Sequence, residues 1–321
     1  MTETKSTKEN IPEGWVETTL DKITESIFSG GTPNTKEDKY WGGEYSWLSS
    51  GETGKKNIYK TIKKITKEGA ENSSTRLARK GSVVMATAGQ GNTRGQVSFL
   101  HIDTYINQSI ICITGKENKL DNRWLFYNLS NRYSELRALS ESNSVRGSIT
   151  TSMLKSHFSI LLPPLPEQRA IADVLSSFDD KIELLREQNK TLEKTAQTIF
   201  KEWFGKYSAD RPNELPEGWR VGKLNEIIEN IKDTLTPGND LIGRKYIPID
   251  EIPMKRIGLD SYKPIEDAKS SLIGFEPGDI LFGAMRSYFH RVNFSTIKGV
   301  TRTTTMVLRP KKRKFFLLPC F

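Results

Sequence analysis

The chain has 321 residues, 27% of them charged, with a formal net charge of +9 and a mean hydropathy of −0.53. That length holds two domains of ordinary size, each with its own core. No apolar run reaches a membrane span and no signal-peptide pattern occurs, so the expectation is a cytoplasmic protein. The two cysteines, Cys112 and Cys320, have no metal-ligand spacing and build no disulfide framework. The charge divides unevenly: +4 over residues 1–150, −2 over 166–205 and +6 over 206–321. Such a division suits flanking domains that meet a polyanion and a middle segment that meets protein, with an ordinary basic surface as the alternative.

Residues 1–10 are polar and expected to be disordered. Ile11-Pro12-Glu13-Gly14-Trp15 then opens a first domain spanning 11–162. Residues 18–27 read as a short amphipathic segment, and Gly30-Gly31-Thr32-Pro33 as loop. Residues 83–88 and 109–114 read as strands, and 121–138 as a helix from Trp124, Leu125, Leu129, Tyr133 and Leu136. The fold class expected is α+β, with irregular, loop-rich strands.

Two stretches of this domain suit nucleic acid. Lys55, Lys56, Lys60, Lys63 and Lys64, with Arg76, Arg79 and Lys80, form a basic run interleaved with Tyr59, fit to hold phosphates. A solvated surface is the alternative. The loop Gly89-Gln90-Gly91-Asn92-Thr93-Arg94-Gly95 has G-x-G-x-x-x-G spacing, no following helix and no acidic residue at the ribose position, so a dinucleotide site is not expected. Gln90, Asn92 and Arg94 are instead side chains that match base edges in a major groove. An ordinary polar loop is the competing reading.

Pro163, Pro164 and Pro166 then close off the first domain. From Glu167 to Phe204 there is no Pro or Gly, and apolar residues recur at Ile171, Leu175, Phe178, Ile182, Leu185, Leu192, Ala196, Ile199 and Trp203. Asn189 fills the one gap. Alternating steps of four and three are the period of a coiled-coil seam. At about 1.5 Å per residue the helix is a rod of roughly 55–60 Å, expected to space the domains on either side. A helix packed on its own domain is the alternative. With Leu185 and Leu192 at d positions Asn189 is an a residue, able to fix register if a polar partner faces it.

The second domain, 211–321, repeats the first. Leu215-Pro216-Glu217-Gly218-Trp219 copies the opening pentapeptide, and Pro277-Gly278-Asp279-Ile280-Leu281-Phe282-Gly283 echoes Lys80-Gly81-Ser82-Val83-Val84-Met85-Ala86. Two anchors in the same order imply a tandem repeat of a large unit. Residues 304–308 read as the strand matching 109–114. The loop between carries Arg286, Ser287, Tyr288, His290 and Arg291 where the first copy has Gln90, Asn92 and Arg94, as two readers of different half-sites require. A full second copy with its own helix would run well past residue 321, so the expectation is that its C-terminal part and a second helix are missing.

These residues together resemble the specificity subunit of type I restriction–modification systems. The likeness rests on the opening pentapeptide, Gly30-Gly31-Thr32-Pro33, Tyr40-Trp41-Gly42-Gly43 with Trp47, Lys80-Gly81-Ser82-Val83, Asn107-Gln108 and, most specifically, Leu162-Pro163-Pro164-Leu165-Pro166-Glu167-Gln168. It implies two target recognition domains, each followed by a long helix, the helices packing antiparallel to set the distance between the halves of a bipartite DNA site. It also implies a non-catalytic subunit that docks a methyltransferase and, through it, a restriction and translocation subunit. S-adenosylmethionine, ATP and Mg would then belong to those partners, with no cofactor in this chain. The alternative is an interaction module that binds the methyltransferase, or itself through the helix, without specific DNA recognition. The residues agree with the absence of catalysis: there is no phosphate-binding G-x-x-x-x-G-K-[ST] loop, no Asn/Asp-Pro-Pro-aromatic tetrad, and His101, His157 and His290 have no metal spacing.

Overall fold

A computed structural model describes residues 11–89, 91–141, 147–236, 241–259, 261–269 and 271–311. The polar N-terminus, Gln90, Cys320 and the rest of the tail lie outside the described residues. The chain divides into two compact units, 1–182 and 183–321, with the division inside one long helix.

Unit 1 begins with β1 (Val16–Thr19), α1 (Leu20–Ile23) and β2 (Thr24–Ser29). The predicted amphipathic segment is thus a helical turn between two strands. Next come β3 (Trp41–Leu48), β4 (Asn57–Ile58), β5 (Lys63–Ile65), α2 (Lys67–Glu71) and β6 (Arg76–Ala78). The predicted strands follow as β7 (Val83–Ala86) and β10 (Ile110–Gly115), separated by β8 (Val97–Leu100) and β9 (Thr104–Ile106). The single helix expected over 121–138 is two, α3 (Asn122–Asn131) and α4 (Tyr133–Glu141), broken at Arg132. Asp121 caps the first by accepting from the N–H groups of Arg123 and Trp124. After α5 (Thr151–Ser156) and β11 (Ser159–Leu162) the chain enters α6 (Leu165–Phe204), 40 residues long. Pro166 sits in its first turn, where a missing N–H costs nothing.

The strands build a five-stranded sheet, β2-β10-β7-β8-β4, and a four-stranded one, β5-β3-β9-β6. Leu48, Ile58, Ala78, Val84, Leu100, Ile106, Ile110 and Cys112 fill one core. Burial pushes the Cys112 thiol up to about 11, so it packs as a neutral apolar group. The other face of the larger sheet carries Val83, Met85, Ile111 and Ile113, covered by Leu20, Trp124, Leu125, Leu129, Leu154, Ile160 and Ala172. The two signature peptides meet here. β1 pairs antiparallel with β11, a Cβ at Gly14 would lie 3.4 Å from Pro164, and the Trp15 indole donates to the Glu167 carboxylate at 3.2 Å.

Unit 2 repeats both sheets. Its strands are β12 (Ile228–Ile231), β13 (Thr234–Leu235), β14 (Lys245–Tyr246), β15 (Leu272–Phe275), β16 (Ile280–Gly283), β17 (Val292–Phe294), β18 (Gly299–Arg302) and β19 (Thr305–Pro310). The order β12-β19-β16-β17 matches β2-β10-β7-β8, and β14-β18-β15 matches β3-β9-β6 with the same parallel and antiparallel pairings. Even turn bonds recur. Gly81 and Gly278, at φ of 85° and 96°, donate to Leu100 and Ser295 at 2.8 and 2.7 Å. The Lys116 and Lys311 N–H groups donate to Ile23 and Ile227, both at 2.9 Å. The repeat read from two short anchors is therefore a repeat of topology. Among the described residues no helix is long and apolar enough to cross a membrane.

Candidate nucleic-acid interface

In each unit two loops meet at one end of one sheet, β2-β10-β7-β8-β4 in unit 1 and β12-β19-β16-β17 in unit 2. In unit 1 they are the β3–β4 loop, with Lys55, and the β7–β8 loop, with Asn92. Buried Ser98 on β8 donates to the carbonyls of Thr53 and Lys55 at 3.0 and 2.7 Å, and a Cβ at Gly54 would lie 3.5 Å from the Gln96 carboxamide. The Ala86 and Gly95 amides close the base of the second loop onto Gln96 and Ala86. From α4, Tyr133 donates to the Asn92 carbonyl at 2.9 Å and Arg137 to that of Gly91. A loop tied down in this way presents its tip without paying to order it on binding. Lys55 and Asn92 are exposed there.

The other proposed DNA contacts separate. Gln90 lies outside the described residues. Arg94 turns inward, half-buried, and donates to the Gly147 carbonyl, so it is a brace of this loop. Lys56 reaches Asp179 of α6 at 3.0 Å, and Tyr127 donates to the same carboxylate at 3.0 Å. Lys56 is thus a tie between domain and helix. Desolvation, then the bond to Asp179, raises the Tyr127 phenol and keeps it a donor. Arg76 lies on the smaller sheet, stacked 3.9 Å over Phe28. Arg79 pairs with Asp103 at 2.9 Å. The Lys80 N–H, then Arg79, hold the Asp103 carboxyl below its usual range. A residue engaged with a neighbouring side chain is a weaker phosphate ligand than a free one, and Lys55 remains the cation at the tip.

In unit 2 the matching loops carry Met254 and Lys255, and Met285 to His290. The Lys255 N–H donates to the His290 carbonyl at 3.0 Å, and Asn293, at the place of Ser98, donates to the Ile257 carbonyl at 2.7 Å. Arg286 is exposed at the tip. Arg291 is not. Its guanidinium donates to the carbonyls of Ile249, Asp250 and Ile252, which makes it the clamp under both loops.

The helix seam is open. Leu175, Phe178, Ile182, Leu185, Leu192, Ile199 and Trp203 are 37–66% exposed, and Asn189 and Ala196 are exposed with them. Ile171 differs, being packed against the core of its own domain beside buried Ala172. The seam therefore starts at Leu175. α6 docks through a neighbouring stripe that apolar spacing does not reveal. Gln168, fully buried, accepts from the Asp121 N–H at 2.9 Å and donates to the carbonyls of Lys119 and Pro163 at 3.0 and 2.8 Å. Arg123 pairs with Asp173 at 2.7 Å. In unit 2, Glu193 accepts from the N–H groups of Ile257 and Gly258 at 3.1 and 2.9 Å. Among the described residues no cluster of His, Cys, Asp and Glu could hold a metal ion.

The sequence profile of the type I restriction modification DNA specificity domain matches residues 12–194. The MjaIX specificity subunit of Methanocaldococcus jannaschii, from a type I restriction enzyme, is 28% identical over 261 residues, 77% of this chain and 58% of that protein. The HindI specificity subunit of Haemophilus influenzae is 32% identical over 129 residues, 39% of this chain and 28% of the relative. The chain spans about half the length of the curated relatives it matches. A crystal structure of the type I restriction–modification S subunit from M. genitalium shares the fold, with a TM-score of 0.53 at 16% identity over all of this chain and 79% of that one. With the profile covering more than half of its residues, the chain belongs to the type I restriction–modification DNA specificity family.

Proposed function

We propose that this chain is the DNA-recognition subunit of a type I restriction–modification complex. In this reading residues 11–162 are a target recognition domain for one half of a bipartite site, 163–206 a coiled-coil-type spacer helix, and 211–321 belong to a second recognition domain. The subunit catalyses nothing itself. It works in the cytoplasm, docks the methyltransferase and, through it, the restriction subunit, and leaves S-adenosylmethionine, ATP and Mg to them. The observation that supports this most is the braced tip of unit 1, which holds Lys55 and Asn92 out to solvent within the stretch matched by the DNA specificity profile. Cations hold phosphates and set register, while amide side chains at a loop tip can read adenine edges.

A mobility-shift series over salt, with and without a cognate methyltransferase, tests the reading. Binding whose affinity falls steeply with salt is expected; no retardation in either case overturns it. The second reading is an interaction module that binds the methyltransferase or a second copy through the open seam, without specific DNA recognition. Methyltransferase binding with no preference for any DNA sequence would select it. For self-association through the seam, light scattering is the measure, and a monomer at all concentrations, alone and with the partner, rules it out.

A further inference from the structure

Arg286, His290 and Lys255 are the non-glycine residues with left-handed backbone among those described, at φ of 55°, 49° and 56°. They cluster. Lys255 is bonded through its N–H to the His290 carbonyl, and Met254 bridges Arg291, so all three stand on the paired loops at one end of the β12-β19-β16-β17 sheet. The loop of unit 1 that matches 285–290 makes its left-handed turns with Gly89, Gly91 and Gly95, for which the conformation carries no Cβ penalty, and the β3–β4 loop that matches 254–255 makes none among its described residues. Unit 2 thus keeps side chains under backbone strain at Arg286 and His290, where the same topology works with glycine, and at Lys255, where the first copy needs no left-handed residue. Strain of this kind persists where the surroundings over-determine it, and the Arg291 clamp and the Asn293 bond supply that rigidity.

The two segments are basic. Segments 252–259 and 283–299 contain no Asp or Glu and carry Lys255, Arg256, Arg286, His290, Arg291 and Lys298. Arg256 faces Glu193 at 3.9 Å, Lys298 pairs with Glu276 at 3.5 Å and Arg291 is turned into the clamp, which leaves Lys255 and Arg286 as the exposed lysine and arginine of these segments. On the same loop as Arg286, Tyr288 is 66% exposed and Met285 56% exposed. Cations around exposed flat and flexible apolar groups complement duplex DNA, with phosphates for the charges and base edges or steps for the ring.

We propose that the paired tips at 254–255 and 285–290 are the DNA-contacting surface of unit 2. Lys255 and Arg286 meet phosphates, and Tyr288 lies against the bases. The proposal rests on the DNA-recognition reading above and adds the residues through which the second unit takes part.

The test uses the full chain, with its methyltransferase, and a random-sequence DNA duplex followed by fluorescence anisotropy over a salt series. Lys255→Gly and Arg286→Gly should each weaken binding severalfold and lower the salt slope by about one unit, with Tm unchanged or raised. Arg286→Gln, which keeps the side chain's backbone demand, should lose the same slope. Tyr288→Ala should weaken binding severalfold with an unchanged slope. Arg291→Met should lower Tm, because it removes the clamp. If the wild-type chain binds and the Lys255 and Arg286 variants bind with its affinity and slope, the inference is overturned and the DNA-recognition reading stands. A Tm loss in the glycine variants as large as that of Arg291→Met also overturns it, by showing that these side chains serve the fold. If the wild-type complex binds no duplex at all, the broader reading fails and takes this one with it.

Discussion

Leu20 and Leu224 hold the same place in two copies of one fold, yet the first is fully buried and the second 58% exposed. The difference extends across a whole sheet face. In unit 1 Val83, Met85, Val97, Ile111 and Ile113 are buried under α3, α5, β11 and the start of α6. Their counterparts by strand register, Ile280, Phe282, Val292, Met306 and Leu308, remain apolar, but apart from Ile280 they are only half-buried. Among the described residues of unit 2, the second half of α6 is accompanied only by 3-10 turns. The opposite face is alike in both, since Leu281 and Val307 are as buried as Val84 and Cys112. The face between the two sheets therefore suffices to hold this topology together, and the outer face takes whatever covers it. The tryptophans show the same contrast: Trp15 is bonded to Glu167 at the start of α6, whereas Trp219 stacks on Phe204 at its end, at 5.8 Å, and meets the tilted ring of Tyr207 just beyond it, at 5.1 Å.

The sharpest way to break this comparison is to truncate the paired leucines. Leu20→Ala should cost about 2–5 kcal/mol, the range for emptying a packed site, while Leu224→Ala should stay within about 0.5 kcal/mol. Urea unfolding of the full chain, read by tryptophan fluorescence, measures both. Equal losses would mean that the face of unit 2 is covered in solution.

A smaller effect is expected where the copies solve one problem with different chemistry. Ser82 and Thr114 share a hydrogen bond of 3.0 Å, and at the matching places Asp279 and Arg309 form a two-pronged ion pair at 2.8 Å. That bond raises the Arg309 guanidinium further. The Asp279 carboxylate is almost wholly buried. Asp279→Asn should therefore cost about 2–4 kcal/mol, somewhat less than a fully buried pair because Arg309 keeps some contact with water. Ser82→Ala should cost about 1 kcal/mol by the same unfolding assay. Gln168→Leu comes next, at about 1–3 kcal/mol, because it strands the Asp121 N–H and two carbonyls. Hydrogen exchange should then quicken in the first turns of α6, and a change confined to unit 2 would refute its role as the pin of the helix.

Much of this was legible in the sequence, and the exceptions have physical causes. The helix is a periodic apolar signal and the repeat a recurrence of short peptides, and both are readable without tertiary information. The docked stripe of α6 is not apolar. Gln168, Asp173 and Asp179 hold it by hydrogen bonds and ion pairs, and polar residues on a helix read as solvent-facing until their partners are known. The lysine and arginine candidates failed to assemble for the same reason. Charge in a sequence does not say which cation already has a carboxylate, as Lys56 and Arg79 do. Nor does it show that Arg291 lies beneath the tip while Arg286 lies on it. The break between α3 and α4 fell inside a continuous apolar pattern, because Trp124, Leu129 and Leu136 all face one core.

The smallest expected effect concerns a pair whose charges are exchanged between the copies. Arg79 and Asp103 pair at 2.9 Å in unit 1, and by register their counterparts are Glu276 and Lys298, paired at 3.5 Å. Coulomb attraction alone is indifferent to the exchange. The backbone is not, since the Lys80 N–H donates to Asp103 at 2.7 Å while the matching residue is Pro277, which has no N–H. An acceptor is needed in the first copy, and in the second the position is free to carry a cation. Arg79→Glu should cost up to about 1 kcal/mol, as expected for an exposed pair turned repulsive. Adding Asp103→Lys should recover only part of that, and adding Lys80→Pro should recover most of the rest. The pH dependence gives a second reading of the same bond. Because the Asp103 carboxyl is held below its usual value, its contribution is present above the unfolded carboxylate range of about 4 and is lost as pH falls through the lowered folded value. Asp103→Asn should therefore flatten part of the acid limb of the stability curve while lowering stability modestly at neutral pH. If the charge-exchanged double variant is as stable as wild type without the proline, the backbone donor plays no part in choosing which sign sits where.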